Sequence, residues 1–455
     1  MLFWNSDNEK YSKTVKWTIA TYATTLHCNG KTSYVGGVLK KNISSYSIKE
    51  KRSFLKKNYG ITDKQSADNC MIYLYYGGIN FEFYKTVVGA ASEMKEYERN
   101  ERFQSEYQER KNACWRVFQQ FPKVGTIALD LSRGMYIASC LYLVGIYSFE
   151  ECMSVSTQMA RKLQANFNSW DEFMANYFLG IECAGEEPHE NSLTLSTRTY
   201  YYKDLKKQKN GPYSIDWKTT LVDEWNCSSS ILEYPDTIKW FNAAKALLKG
   251  VNRETPHLYP TMLSSPDSMK LQKKSLKSSW DISNKEDAYA TISDLLRGDM
   301  HYSRLMEEWE DLKIDIPNNY NKLRFNLIET IITKYEDKGI IAWDWFRALH
   351  LASACYTIGY ISYEEALDIS LVMAKEIQNT FSSWDEYFDN YSLGYQYWSG
   401  DIRENPDNHS ELKTNEFLNF DNDGIEFRQK LYQWLKNDSE SVFDIPWNTE
   451  LKKEW

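Results

Sequence analysis

Paired cysteines of the kind that bind zinc or cycle between thiol and disulfide are missing from this chain. Its eight cysteines include no Cys-x-x-Cys pair, and several fall on apolar helical faces. This distribution does not match a disulfide framework, which would need closely spaced, paired cysteines in a small secreted domain. We therefore expect buried thiols and a reducing, cytoplasmic compartment.

Long hydrophobic runs and an excess of basic charge are also absent. The longest apolar stretch, residues 134–147, is too short to span a bilayer as a helix. The first ten residues, MLFWNSDNEK, lack the basic and apolar regions of a secretory signal. The net charge of −9 repels nucleic acids and anionic membranes. These absences predict no nucleic-acid or membrane partner, whereas an acidic surface suits a basic protein partner.

Sequence signatures of catalysis are missing as well. The chain has no Walker loop, no G-x-G-x-x-G after a strand, no H-E-x-x-H and no G-x-S-x-G. None of its six histidines has a partner four residues away of the kind that completes a metal site. We therefore predict no cofactor and no metal, and a binding role is favoured over an enzymatic one.

What the chain does contain is one stretch that is present twice. Residues 125–180 and 339–394 align without a gap, and about 25 of the 56 positions are identical. Similar segments flank both copies, and both tails end alike, in LVDEW and LKKEW. The duplication predicts two tandem, pseudo-symmetric domains, residues 1–225 and 226–455, joined by a short polar linker at 226–230.

Each copy is predicted to form a central motif of three helices. The second and third helices of the motif begin at Ser-x-x-Glu sequences, which fit the capping box that satisfies the first amides of a helix. The predicted fold is therefore mainly α, with at most short strands in the tails, where residues 194–202 alternate like a strand. The predicted capping residues are Ser148, Glu151, Ser169, Glu172, Ser362, Glu365, Ser383 and Glu386.

A pair of opposite charges recurs on the first central helix of both copies. Asp130 and Arg133 are three residues apart, as are Asp344 and Arg347, so each pair shares one helical face. That face continues in apolar residues, and we expect the pair to point inward. One interpretation is a buried ion pair that fixes how the helices cross. The other is a polar site at the base of a cleft, where arginine orients a phosphate or carboxylate.

The second copy resembles the bacterial family catalogued as domain of unknown function 1266, and the resemblance covers nearly the whole chain as two tandem units. The motifs that carry it are Trp343-Asp344-x-x-Arg347, the turn from Gly359 to Ala366, and Ser382 to Tyr387 followed by Leu393-Gly394. The first copy departs from this pattern, with Leu129 at the position of Trp343 and Cys152 at that of Ala366. The resemblance implies a bacterial, cytoplasmic protein, and some members are associated with toxin–immunity loci.

Three functions remain open from the sequence. The first is a non-catalytic protein-binding module, such as an immunity-type protein that neutralises a basic toxin. The second is an enzyme or a small-ligand receptor that uses the Asp/Arg pair of each repeat. The third is a structural scaffold. Substitution of Asp344 and Arg347 separates a structural pair, whose loss unfolds the protein, from a functional one.

Overall fold

The computed structural model describes residues 13–28, 45–81, 104–184, 195–222, 225, 230–252, 254–317, 319–402 and 424–455. The chain divides into two compact units, Met1–Glu233 and Tyr234–Trp455. Residues 226–229 of the predicted linker lie outside the described residues. The prediction of a mainly α fold is confirmed, because the described elements are helices and no strand occurs among them.

The first unit contains helices from both flanks of the repeated stretch as well as from the stretch itself. A further helical segment begins at Gly78, and the turn Pro212–Ser214 follows the last helix. The helices are α1 (Lys13–Cys28), α2 (Ser45–Tyr59), α3 (Lys64–Tyr75), α4 (Gln104–Gln120), α5 (Ile127–Val144), α6 (Phe149–Asn166), α7 (Trp170–Ala184) and α8 (Leu195–Lys207).

The second unit repeats this order of elements. Its first helix again precedes the central three, and a short 3-10 turn, Val442–Asp444, again follows the last helix. The helices are α9 (Asp236–Val251), α10 (Pro266–Trp280), α11 (Lys285–Arg297), α12 (His301–Ile314), α13 (Lys322–Tyr335), α14 (Ile341–Thr357), α15 (Tyr363–Thr380), α16 (Trp384–Ser399) and α17 (Ile425–Asn437).

The strand predicted for residues 194–202 is wrong. Residues 195–207 form helix α8, which packs against α1 and α7. The helix places Tyr202 and Lys206 one turn apart on the same face. Both of them bond the same carboxylate of Asp171, at 2.8 Å and 2.5 Å, so tertiary contacts settle the conformation of this segment.

Helix α5 begins before the apolar stretch that was recognised in the sequence. Among the described residues it alone is long and apolar enough, by length and composition, to cross a membrane. The stretch considered from the sequence, residues 134–147, was shorter than this helix. However, 83% of the residues of α5 are buried, as expected for a core helix. It ends at Gly145, whose left-handed conformation (φ 83°) favours glycine.

A triad of tryptophans connects the ends of each unit to its central motif. The indole of Trp17 on α1 donates to the carbonyl of Trp217 in the tail at 3.0 Å, and Trp240 donates to Trp447 at 2.9 Å. The rings of each triad lie with centroids 4.7 to 5.5 Å apart. The triads are Trp17, Trp170 and Trp217 in the first unit, and Trp240, Trp384 and Trp447 in the second.

The second central helix begins with the same reciprocal bonds in both units. The amide of Glu151 donates to the Ser148 hydroxyl at 3.1 Å, and the Ser148 amide donates to the Glu151 carboxylate at 2.7 Å. Ser362 and Glu365 make the same two bonds at 3.1 Å and 2.8 Å. These are capping boxes, in which two amides without helical partners are satisfied.

The third central helix begins in a slightly different way from the prediction. Ser169 accepts from the amide of Glu172 at 3.2 Å, but the Glu172 carboxylate accepts from Asn168, one residue before the cap, at 2.7 Å. In the second unit the matching bonds join Ser383 to Glu386, and Glu386 to the residue before the cap. The serines are therefore N-caps, whereas each glutamate satisfies the amide that precedes its serine.

Candidate functional site

A partly open cavity of about 430 Å³ lies in the first unit. It is bounded by α1, α2, α5, α7 and α8, and residues from α5 form one side of it. This volume is typical of a pocket for a small organic molecule, which ranges over about 300–1,000 Å³. The lining residues are Tyr22, Thr25, Phe54, Asn58, Tyr59, Leu129, Ser132, Arg133, Tyr136, Tyr177 and Arg198.

Two arginines line this cavity from different helices. Arg133 comes from α5 and Arg198 from α8, and both are half-buried. A partly desolvated guanidinium presents a planar fork of N–H donors that matches a carboxylate or a phosphate. The cavity thus presents two basic groups, although the whole chain carries a net charge of −9.

Asp130, the predicted partner of Arg133, has a second role. Its carboxylate is fully buried and accepts the backbone amides of Ile79 at 3.2 Å and Asn80 at 2.8 Å. Those amides belong to the first turn of the helical segment that begins at Gly78, where negative charge is favoured. Burial raises the pKa of Asp130 to about 7, although the two amides and Arg133 favour its charged form. Asp130 thus supports the helix packing, and Arg133 faces the cavity.

The walls of the cavity are largely aromatic and carry hydroxyl groups. The hydroxyls of Thr25 and Tyr177 are bonded at 2.7 Å, and Lys51 donates to the Tyr136 hydroxyl at 2.5 Å. Burial raises the pKa of Tyr22 and of Tyr136, so both phenols stay neutral and able to donate hydrogen bonds. The cavity therefore combines flat apolar surfaces with donors for an anion.

The corresponding space in the second unit is filled by larger side chains. In the gapless alignment Leu129 corresponds to Trp343 and Ser132 to Phe346, and the two larger residues are 4% and 3% exposed. The centroid of the Phe346 ring lies 4.3 Å from that of Tyr391, the counterpart of Tyr177. Aromatic rings in contact thus stand at the positions that correspond to lining residues of the first unit.

Asp344 and Arg347 form a buried ion pair in this filled interior. Their side chains are in direct hydrogen-bond contact, and the guanidinium carbon lies 4.8 Å from the centroid of the Trp343 ring. Asp344 also accepts the amides of His301 and Tyr302, both at 3.1 Å. Burial raises the pKa of Asp344, but the bonds from His301 and the charge of Arg347 outweigh it and hold that pKa below its usual value.

The structure therefore gives the two predicted pairs different surroundings. Arg133 lines a cavity and interacts electrostatically with Asp130, which also caps a helical segment, whereas Arg347 is sealed in an ion pair with Asp344. Sequence reasoning missed Arg198, because it assigned that segment to a strand. The structure aligns Arg198 with Arg428, because Lys206 and Lys436 bond the matching aspartates of the two units. The sequence carries the same correspondence, since an arginine, a tyrosine, a leucine and a lysine recur at one spacing from Arg198 and from Arg428.

Comparisons with known proteins agree with the division into repeats. A family model described as "Protein of unknown function (DUF1266)" matches residues 54–217 and 275–447, one region in each unit. The chain is also similar to "Uncharacterized protein YbeR" of Escherichia coli (strain K12), with 27% identity over 134 residues. That match covers 27% of this chain and 56% of YbeR, so the chain spans little more than half the length of this relative. No solved structure matches the chain significantly.

Proposed function

The chain belongs to the DUF1266 family of proteins of unknown function, and we propose that its first unit is a receptor for a small organic anion. The observation that carries this proposal is the pair of arginines, Arg133 and Arg198, on one cavity of about 430 Å³. Two guanidinium groups from separate helices bind a carboxylate or phosphate in a defined orientation, because each makes charge-assisted hydrogen bonds.

The aromatic walls indicate what else the ligand contains. Tyr22, Phe54 and Tyr59 come from α1 and α2, and Tyr136 and Tyr177 face them from α5 and α7. Aromatic side chains bind flat or apolar groups through large contact areas, and the phenol hydroxyls add orientation. The ligand class that fits is therefore an aromatic or similarly flat carboxylate or phosphate.

The lining favours recognition over chemical conversion. The side chains on the cavity are arginine, tyrosine, serine, threonine, asparagine, phenylalanine and leucine. These groups donate hydrogen bonds and provide contact area, which are the properties of a binding site. The second hypothesis from the sequence named an enzyme or a small-ligand receptor, and the lining of the cavity supports the receptor.

Isothermal titration of the full chain with phenyl phosphate and with benzoate tests the receptor role. Wild type is expected to bind at least one of them, and Arg133→Met and Arg198→Met are each expected to weaken binding about tenfold or more. Arg116→Met is the matched control, because Arg116 forms an exposed ion pair with Glu182 on the same unit. No heat with either anion, or equal loss in all three variants, would exclude the proposal.

A protein-binding role is a second candidate, and one surface of the second unit favours it. The end of α12, the connection that follows it and the start of α13 expose three apolar residues to solvent, Ile314 (85%), Ile316 (50%) and Leu323 (38%). Exposed Asp311 and Asp315 lie in the same segment, and Glu310 is paired there with Lys313 at 2.6 Å. Apolar residues beside two carboxylates suit a basic protein that supplies a complementary apolar patch.

The test of this second candidate is binding to the product of an adjacent gene, measured with both purified proteins. Ile314→Asp is expected to weaken the complex about tenfold or more, because it places a charge at the most exposed apolar position. Val372→Asp, a similarly exposed residue on α15, is the matched control. A complex that tolerates Ile314→Asp as well as Val372→Asp would rule out this surface.

A further inference from the structure

A third basic group lies beside the cavity of the first unit. The Lys51 ammonium donates to the Tyr136 hydroxyl at 2.5 Å and lies 4.9 Å from the centroid of that ring. Lys51 belongs to α2, the helix that also contributes Phe54 and Asn58 to the cavity wall. Tyr136 lines the cavity from α5, one turn after Arg133. A lysine therefore contacts the wall to which one of the two arginines belongs.

The bond between Lys51 and Tyr136 determines how the phenol can interact with a ligand. An ammonium has only donors, so the Tyr136 oxygen accepts in this bond and the phenol proton remains available. Burial raises the pKa of Tyr136, so the phenol keeps that proton. The Cys140 thiol also makes hydrogen-bond contact with the hydroxyl, but sulfur is a weak acceptor. Tyr136 is therefore a donor for an anionic oxygen in the cavity.

The donors on the cavity wall exceed those that a carboxylate can use. A carboxylate has two oxygens with about four acceptor sites, and two guanidinium forks fill them with about four N–H bonds. Arg133 and Arg198 provide those two forks. The Tyr136 hydroxyl is a further donor on the same face of α5 as Arg133. A ligand group with a third terminal oxygen uses this donor, whereas a carboxylate has no site left for it.

The second unit has a different group at the position of Tyr136. The gapless alignment places His350 there, and its imidazole lies 3.5 Å from the carboxylate of Glu254. Burial, together with the nearby Lys245 and Lys249, lowers the pKa of His350 to about 3, so the imidazole stays neutral. The phenol donor supported by a lysine is therefore a feature of the first unit, where the cavity lies.

We propose that the cavity selects a phosphate monoester over a carboxylate, and that Lys51 and Tyr136 set this preference. The proposal rests on the receptor role of the first unit and names the ligand class of the same cavity. Arg133 and Arg198 bind two of the terminal oxygens, and Tyr136 donates to the third. Lys51 positions the phenol as a donor, and its charge favours a group that carries about −1.5 to −2 at pH 7 over a carboxylate.

Isothermal titration of the full chain at about pH 8, where a phosphate monoester carries both charges, tests the preference. Phenyl phosphate is expected to bind about tenfold or more tightly than benzoate. If benzoate binds as tightly as phenyl phosphate or more tightly, and Arg133→Met weakens both, the preference is overturned and the receptor role stands. No heat with either anion removes the receptor role, and the preference with it.

Lys51→Met and Tyr136→Phe test the two residues that set the preference. Each is expected to lower the ratio of the two dissociation constants to about twofold or less, because each removes support for the third oxygen and leaves both guanidinium groups. Lys51→Arg keeps the charge and the N–H donors and is expected to keep the preference. Lys56→Met, which removes an exposed lysine from the same helix, is the matched control. A preference that survives in either of the first two variants, or that is lost equally in Lys56→Met, overturns the proposal.

Discussion

The two units hold their helices with the same contacts and differ in what lies between those helices. Both have a tryptophan triad, a capping box on the second central helix and an aspartate that bonds a tyrosine and a lysine of the last helix. Between the helices, the first unit has a partly open cavity lined by Leu129 and Ser132, whereas the second unit has Trp343 and Phe346 at the matching positions.

This difference shows which positions of the repeat are constrained by folding. The shared contacts join chain ends or helix ends, and losing one would expose backbone groups or open the core. The variable positions face the interior of the bundle, where either a ligand or a larger side chain can fill the space. The duplicated fold thus tolerates an open cavity in one copy and a packed interior in the other.

The largest expected difference between the units concerns their buried aspartates. Asp344→Asn leaves the Arg347 charge buried without a counter-charge, and the expected loss is about 3–5 kcal/mol. Asp130→Asn retains one acceptor for the amides of residues 79 and 80, so its expected loss is about 1–2 kcal/mol. Hydrogen exchange measured on peptides from each unit reports the two losses separately. Equal losses would show that the two pairs have the same structural role.

The pH dependence of the two units is expected to have opposite signs between pH 4 and pH 7. The pKa of Asp130 is higher in the folded state (about 7) than its ordinary value of 3.8, so its contribution weakens as the pH rises through that range. The pKa of His350 is lower in the folded state (about 3) than its ordinary value of 6.5, so its contribution is lost as the pH falls. Each effect is on the order of 2–4 kcal/mol.

Urea unfolding followed by unit-specific hydrogen exchange, corrected for the intrinsic exchange rate at each pH, measures these two trends. Asp130→Asn is expected to flatten the profile of the first unit and leave that of the second unchanged. His350→Gln is expected to do the reverse. A first unit that became more stable as the pH rose from 4 to 7 would contradict the assignment to Asp130.

Transplanting one residue of the second unit is expected to close the cavity of the first. Ser132→Phe places a ring where the anion would bind, and affinity for the bound probe is expected to fall about tenfold, or 1.4 kcal/mol. Ser132→Ala is the control, because it removes only the bond from the Ser132 hydroxyl to the carbonyl of Thr21 and leaves the space open. Circular dichroism verifies that both variants fold. Unchanged affinity in Ser132→Phe would place the ligand elsewhere.

The smallest expected effect is the one that the units share. Ser148→Ala and Ser362→Ala each remove the hydroxyl that accepts from the glutamate amide, and each keeps the backbone amide that donates to the glutamate. Each substitution is expected to cost about 1 kcal/mol. Denaturant unfolding of both variants measures the two costs. A marked inequality would mean that the capping boxes depend on their surroundings and not on local geometry alone.

Local signals predicted the helix starts well. The capping boxes at Ser148 and Ser362 follow from four adjacent residues, so sequence spacing is sufficient to find them. At Ser169 the spacing also located the helix start, but it did not show that Glu172 would bond the amide of Asn168. Such details depend on how the chain enters the helix, which spacing does not specify.

Features that depend on distant contacts were beyond the sequence. Residues 195–202 of the alternating segment belong to a helix in which Tyr202 and the later Lys206 bond Asp171. The sequence showed that Asp130 and Asp344 are equivalent, but not that the arginine of one copy would line a cavity. That outcome depends on the volumes of Leu129 and Ser132 relative to their counterparts, together with helices contributed by other parts of the chain.

The contacts between the tail and the first helix have an evolutionary consequence. Thr14 accepts from the amide of Val222 at 2.9 Å, and Thr237 accepts from Lys452 at 3.0 Å, so the start and finish of each unit are neighbours in space. A domain whose ends meet can be copied in tandem, or cut and rejoined at a new point, with little disturbance to its core. A circular permutant of either unit that joins these ends should therefore retain the helical bundle, and the ancestral duplication required no new packing to be tolerated.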